Sequence, residues 1–204
     1  MIPANEALQR LREGNARFVA ELGVSGTQTG ESRRRQLAAG QEPFAIILGC
    51  SDSRVPAEII FDQGLGDLFV IRVAGNVVAP SQIDSIEFSA ARHRTRLVLV
   101  LGHSQCGAIL ATIEELGLPR EQQSRNLRSI VGRVRPSVEA LMDVGLASNP
   151  GELVRQAVRN NIRMSVNQLR RGSEVLEHLI REEGLRIVGA EYSLDTGMVE
   201  FFDY

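Results

Sequence analysis

Lysine and tryptophan are absent from this 204-residue chain, and cysteine occurs only twice. All 23 basic residues are therefore arginine, and 25 acidic residues bring the formal net charge to -2. That balance excludes the strongly basic signature of a nucleic-acid or anionic-membrane binder. The missing lysine reads as composition bias, and the Arg33-Arg34-Arg35 triplet as a solvated or subunit-facing helix surface. No segment is apolar and long enough to span a bilayer. The amino terminus lacks the basic start and apolar run of a secretory signal, so a cytoplasmic protein is expected. In a reducing compartment a structural disulfide between Cys50 and Cys106 is disfavoured, which leaves metal or redox chemistry as the leading reading.

What is present is an ordinary globular composition, 43% hydrophobic and 24% charged, in a chain long enough for one domain with a sizeable core. Leu8, Leu11, Asn15, Phe18 and Leu22 recur at helical spacing, which predicts an amphipathic helix over about residues 4–22. Residues 23–30 are rich in Gly, Ser and Thr and read as a loop. A short helix over 31–39, ended by Gly40, completes an N-terminal helical arm (residues 1–40). The arm's apolar stripe needs a surface, on its own domain or on a partner subunit. Continuous apolar runs at 44–49, 68–71, 97–102 and 187–190 read as strands buried on both faces. A fifth strand, over 198–202, is turned back by Asp195-Thr196-Gly197.

Helical patterns fill most of the gaps: residues 81–94, 105–116 and about 126–141. A longer helix passes through Val154, Val158, Ile162, Val166 and Leu169 to Gly172. The last is capped by Ser173 and ended by Gly184. The alternation predicts an α/β fold: a mainly parallel central β-sheet of four to five strands flanked by helices, with the N-terminal arm projecting. No repeat or second boundary appears, so residues 1–204 read as a single domain with its α/β core at 41–204.

Two constellations carry chemistry. Cys50-Ser51-Asp52-Ser53-Arg54 directly follows the first buried run. In open α/β sheets ligands bind just beyond the carboxyl ends of strands. In an extended segment Cys50, Asp52 and Arg54 would all face one cleft. Gly102-His103-Ser104-Gln105-Cys106-Gly107 directly follows the third run. A helix starting here puts His103 and Cys106 on one face, and its N-terminus favours Cys106 as a thiolate. Two Cys, one His and one Asp form a plausible tetrahedral zinc set. Either piece alone is compatible with core packing; their joint placement after strand ends points to a site.

The stretch from Cys50 to Ala57 resembles the first motif of the β-carbonic anhydrases, and Gly102 to Gly107 resembles the second. Gly66-Asp67-Leu68-Phe69-Val70-Ile71-Arg72-Val73-Ala74-Gly75-Asn76 resembles the family's connecting segment. The likeness runs from about Asn5 to the C-terminus. It implies reversible hydration of carbon dioxide to bicarbonate at one zinc ion per subunit. Cys50, His103 and Cys106 would be the constant ligands and Asp52 an exchangeable fourth. Arg54 would hold the Asp52 carboxylate off the metal by charge-assisted hydrogen bonds, so that water can enter. The freed Asp52 would then accept a hydrogen bond and orient the attack.

Two thiolates cancel a dication's charge where three neutral histidines would not, so water at such a site is acidified less. Hydration is therefore expected to rise with pH through the mildly alkaline range.

The resemblance also places Gln41, Phe69, Phe88 and Gly107 at the substrate. Phe88 stands where many relatives have Tyr, and Ser89 replaces a usual alanine. Arg72 and Tyr192 match a non-catalytic bicarbonate pocket of some relatives, but Ile47 stands in place of its Trp. That pocket is not expected to operate in its usual form. His93 and His178 read as surface residues without catalytic duty. A homodimer, often paired into tetramers, is implied, with the N-terminal helix clasping the partner and the cleft at the dimer interface. Two alternatives stay open: a carbon disulfide or carbonyl sulfide hydrolase on the same scaffold, and a non-catalytic zinc or thiol sensor. The presence of Asp52 and Arg54 and the lack of a third cysteine weigh against the sensor.

Overall fold

In a computed structural model, residues 2–23, 30–143 and 145–202 are described. Of the loop read at residues 23–30, positions 24–29 lie outside the described residues. Five strands form one sheet in the order β2-β1-β3-β4-β5: β1 (Ala45–Gly49), β2 (Leu68–Arg72), β3 (Leu97–His103), β4 (Arg186–Tyr192) and β5 (Val199–Phe202). The first four are parallel and β5 is antiparallel to β4. Every residue of β1 and β3 is buried, which is why these segments read as unbroken apolar runs rather than alternating ones.

Side chains alternate between the faces with the two-residue period of a strand. Ile46, Leu48, Val98 and Val100 join a core under the helices α4 (Pro80–Arg92), α5 (Gly107–Gly117), α6 (Arg128–Asp143), α7 (Pro150–Arg171) and α8 (Glu174–Glu182). Ala45, Ile47, Leu97, Leu99 and Leu101 face the opposite way, against α1 (Ala4–Val19) and the short α3 (Ala57–Ile60). Cys50 continues the first of these faces.

The stripe of α1 lies on its own sheet: Ala7 and Leu11 are fully buried. Full burial of a leucine side chain stabilises by about 1.5–3 kcal/mol. Asn15 fastens the helix at its far end. It donates to the carbonyls of Ile60 (3.2 Å) and Gly197 (2.9 Å) and accepts from the Val199 amide at 2.9 Å. So α1 does not project; its own sheet offers the apolar surface it needs. The exposed part of the arm is α2 (Glu31–Leu37), which buries none of its residues. Arg33 ties α2 to the body through the Leu65 carbonyl and the Asp67 carboxylate.

The helix limits follow local chemistry. Ser173 accepts from the Leu176 amide at 3.0 Å and starts α8. Asn149 caps α7 through the Glu152 amide. Among the described residues no helix is long and apolar enough to cross a membrane.

The strand order locates the site. From β1 the chain moves outward to β2, then crosses back to lay β3 on the other side of β1. Between the carboxyl ends of β1 and β3 the connections diverge and leave a crevice. Cys50 follows one end and His103 closes the other. Gly102 serves this packing, because a Cβ there would sit 2.6 Å from the Ile162 side chain of α7.

Candidate metal centre

Cys50, His103 and Cys106 come together at that crevice, one ligand atom from each lying within 4.8 Å of the others, and all three side chains are buried. His103 Nδ1 is 2.9 Å from the Ser104 carbonyl. A carbonyl only accepts, so Nδ1 carries the proton and Nε2 presents its lone pair. That Nε2 is buried without a hydrogen-bond partner, a costly state unless something else takes the lone pair. Two sulfurs and an imidazole nitrogen are a soft donor set that suits a divalent transition ion. The three residues can therefore hold a metal.

The sulfurs are not equivalent. Cys50 is drawn down to about 4, chiefly by the Cys106 thiol beside it, against the opposing effect of burial. The His103 ring and the Gly75 and Asp52 backbone add to the pull. The Gly75 amide donates to Cys50 Sγ at 3.3 Å. Cys106 is pushed up by the hydrogen bond to Cys50 and by burial. The Ala108 and Ile109 amides in the first turn of α5 pull it the other way and lose. One buried negative charge discourages a second, so without a cation the two thiols do not both ionise. A cation between them would let both sulfurs ionise.

Asp52 stands at the rim. Its carboxylate is gripped in a fork by Arg54, Nε to Oδ1 at 2.9 Å and Nη2 to Oδ2 at 2.7 Å, and the Arg54 amide adds 3.0 Å to Oδ1. Arg54 holds the carboxyl below the usual carboxylate range. Asp52 Oδ2 is also 3.9 Å from His103 Nε2, so the carboxylate borders the unpartnered nitrogen. The segment is a turn rather than an extended strand. The Val55 amide bonds the Asp52 carbonyl at 3.1 Å, and aspartate favours this turn by accepting from the amide two residues on.

Arg72 closes the base of the site. Its guanidinium donates to the Cys50 carbonyl at 3.0 Å and the Asp52 carbonyl at 2.6 Å. The resemblance placed Arg72 at a bicarbonate pocket; here it fixes the backbone that carries a ligand and the rim carboxylate. Its signal was topological: Arg72 lies level with Gly49 on the neighbouring strand.

The substrate residues divide. Gly107 follows Cys106 directly as the first residue of α5, with open space where a Cβ would stand. Gln41, Phe69 and Phe88 lie elsewhere. Phe69 is paired with Ile46, four residues before Cys50, or about 13 Å along the strand. Phe69 and Phe88 pack at 6.2 Å between centroids, and His93 packs on them at 6.0 and 5.6 Å. His93 and Gln41 line a cleft of about 580 Å³ beside the amino-terminal ends of β1 and β3. His93 is half-buried, with its Nε2 out of solvent and unpartnered, so it is not the plain surface residue expected. His178 is exposed.

A family model described as carbonic anhydrase matches residues 45–199, and the chain belongs to that family of enzymes. Its likenesses to solved structures place it in the β class. The β-carbonic anhydrase CafA of Aspergillus fumigatus shares 26% identity at a TM-score of 0.75, over 98% of this chain and 90% of that one. Among curated relatives, a carbonic anhydrase of Mycolicibacterium smegmatis is 40% identical over 95% of this chain and 91% of its own length. Carbonic anhydrase 2 of Mycobacterium tuberculosis is 40% identical over 97% and 92%. The fold is also that of a tetrameric β-carbonic anhydrase of Sordaria macrospora, at 22% identity, a TM-score of 0.76 and 98% of both chains.

Proposed function

We propose that the chain hydrates carbon dioxide reversibly to bicarbonate and a proton, at a zinc ion held by Cys50, His103 and Cys106. The observation that carries this reading is the unpartnered, buried His103 Nε2 beside two sulfurs, with a carboxylate on its rim already engaged by Arg54. Zinc in such a site supplies an acidified water as nucleophile.

The chain's own residues set the conditions. Ser104 fixes the His103 tautomer. Arg54 keeps Asp52 ionised and turned to itself, so with zinc bound the carboxylate would be free to accept a hydrogen bond rather than to serve as a ligand in the fourth position. Release by Arg54 would let Asp52 take that position, so the pair acts as a gate. Arg72 keeps both residues on a fixed backbone.

Substrate is handled by a second copy of the chain. Gln41, Phe69 and Phe88 share one patch at the end of the sheet away from their own metal centre, and Phe88 is 54% exposed. In a homodimer, or a dimer of dimers, this patch would line the partner's crevice. The tetrameric relative from Sordaria macrospora supports such assembly.

Stopped-flow hydration on protein of measured zinc content tests the reading, with carbon disulfide and carbonyl sulfide as rival substrates. Zinc-dependent turnover of carbon dioxide is expected. Turnover confined to the sulfur analogues would move the chain to the hydrolase reading, and no turnover with zinc bound to the sensor. An active monomer in sedimentation would overturn the shared site.

A further inference from the structure

The apolar stripe of α7 is broken by two buried polar residues one turn apart, Asn161 and Ser165, 3% and 4% exposed. Buried polar groups persist where they are hydrogen-bonded, and both of these bond to the same turn. Asn161 Nδ2 donates to the Gly75 carbonyl at 2.8 Å, and Ser165 Oγ donates to the Asn76 carbonyl at 3.1 Å. That turn, Ala74–Asn76, holds two consecutive residues in left-handed conformation, Gly75 at φ 71° and Asn76 at φ 43°. For a residue with a side chain this conformation costs of order 1 kcal/mol or more and needs support from its surroundings. The turn is also wedged tightly: a Cβ on Gly75 would meet the Ala108 Cβ at 3.1 Å and Val134 at 3.4 Å. From this position the Gly75 amide reaches Cys50 Sγ.

We propose that Asn161, supported by Ser165, is a positioning residue for the metal centre. It grips Gly75 by the carbonyl and so keeps the Gly75 amide on the Cys50 sulfur. The inference rests on the metal reading above. An amide held on a candidate ligand sulfur fixes where that sulfur points. Partners outside the ligand set commonly change metal affinity about ten- to a hundredfold when removed.

Asn161→Leu keeps the volume and removes the donor. Its zinc affinity, measured by competition with a chromophoric chelator, is expected to fall about ten- to a hundredfold. In cadmium-113-substituted protein the coupling between the metal and the Gly75 amide proton should disappear and the cadmium shift should move. Ser165→Ala should change both readouts in the same direction and by less, and it carries the test if Asn161→Leu does not fold. A purely structural role would lower thermal stability with and without metal by equal amounts and leave affinity and cadmium spectrum untouched. That result would overturn the proposal while sparing the metal reading. Wild-type protein that bound no zinc would instead overturn the metal reading, and this inference with it.

Discussion

The two ends of β1 differ in kind. At the carboxyl end the polar groups are held: Asp52 in the fork of Arg54, the Cys50 carbonyl by Arg72, the Cys50 sulfur by Gly75, His103 by Ser104. Among the described residues, His103 Nε2 and Asn76 Nδ2 are buried there without a partner. At the amino end a cleft of about 580 Å³ lies open and carries Gln41 and His93, with Phe69 and Phe88 packed behind. One end is organised by bonds within the chain, and the other carries an open cleft and the exposed ring of Phe88. Precise metal geometry needs rigid support from within the fold, whereas a pocket for a small apolar gas can be closed by docking one surface on another.

The strongest challenge to that contrast is loss of the carboxyl-end ligands. Cys106→Ser should lose stoichiometric metal and fall to the uncatalysed hydration rate, read by metal analysis and stopped flow together. Retention of both would mean that the chemistry lies elsewhere. Next is Arg54→Ala, which should keep the metal but lower kcat by about a hundred- to a thousandfold, the usual effect of removing one preorganised electrostatic group. Near-normal turnover would refute the gate.

A smaller effect tests the open end. Gln41→Ala should lower kcat/KM by about tenfold, the worth of one hydrogen bond of about 1.4 kcal/mol, without loss of metal. Mixing this variant with Cys106→Ser should then regain activity, because each mixed dimer would hold one site free of both changes. Failure to regain it, with subunit exchange shown directly, would place both residues in one chain's site.

The smallest effect is with pH. Hydration should rise only a few-fold through the mildly alkaline range. Arg54 lowers the Asp52 pKa in the folded chain, so this pairing contributes stability above the ordinary carboxylate value. It is lost only as pH falls through the lower, folded value. A rise centred in the ordinary carboxylate range would assign the titration to a carboxylate and contradict the paired geometry.

Much of this architecture was legible in the sequence because burial writes itself as continuous apolar runs. The runs at 44–49 and 97–102 mark β1 and β3, and the residues after them mark the crevice. Short or tertiary features were not legible. The single turn of α3 (Ala57–Ile60) is too brief to show periodicity. The role of Arg72 depends on strand register, and the grip of Asn161 on Gly75 spans 86 positions. The extended reading of 50–54 failed because an aspartate side chain bonded the backbone locally and made a turn. The N-terminal helix showed its apolar stripe but not its destination, since a stripe specifies that something is covered and not what covers it.

The chain's two cysteines lie side by side, shielded from solvent, in the same crevice. Every sulfhydryl in the chain is therefore a reporter on one locus. Because both sulfurs are buried, a thiol-specific dye reaches them only when the fold opens locally; it should label two groups per chain after chelation and far more slowly in fully loaded protein. Counting them offers a measure of the loaded fraction in any preparation, without recourse to turnover.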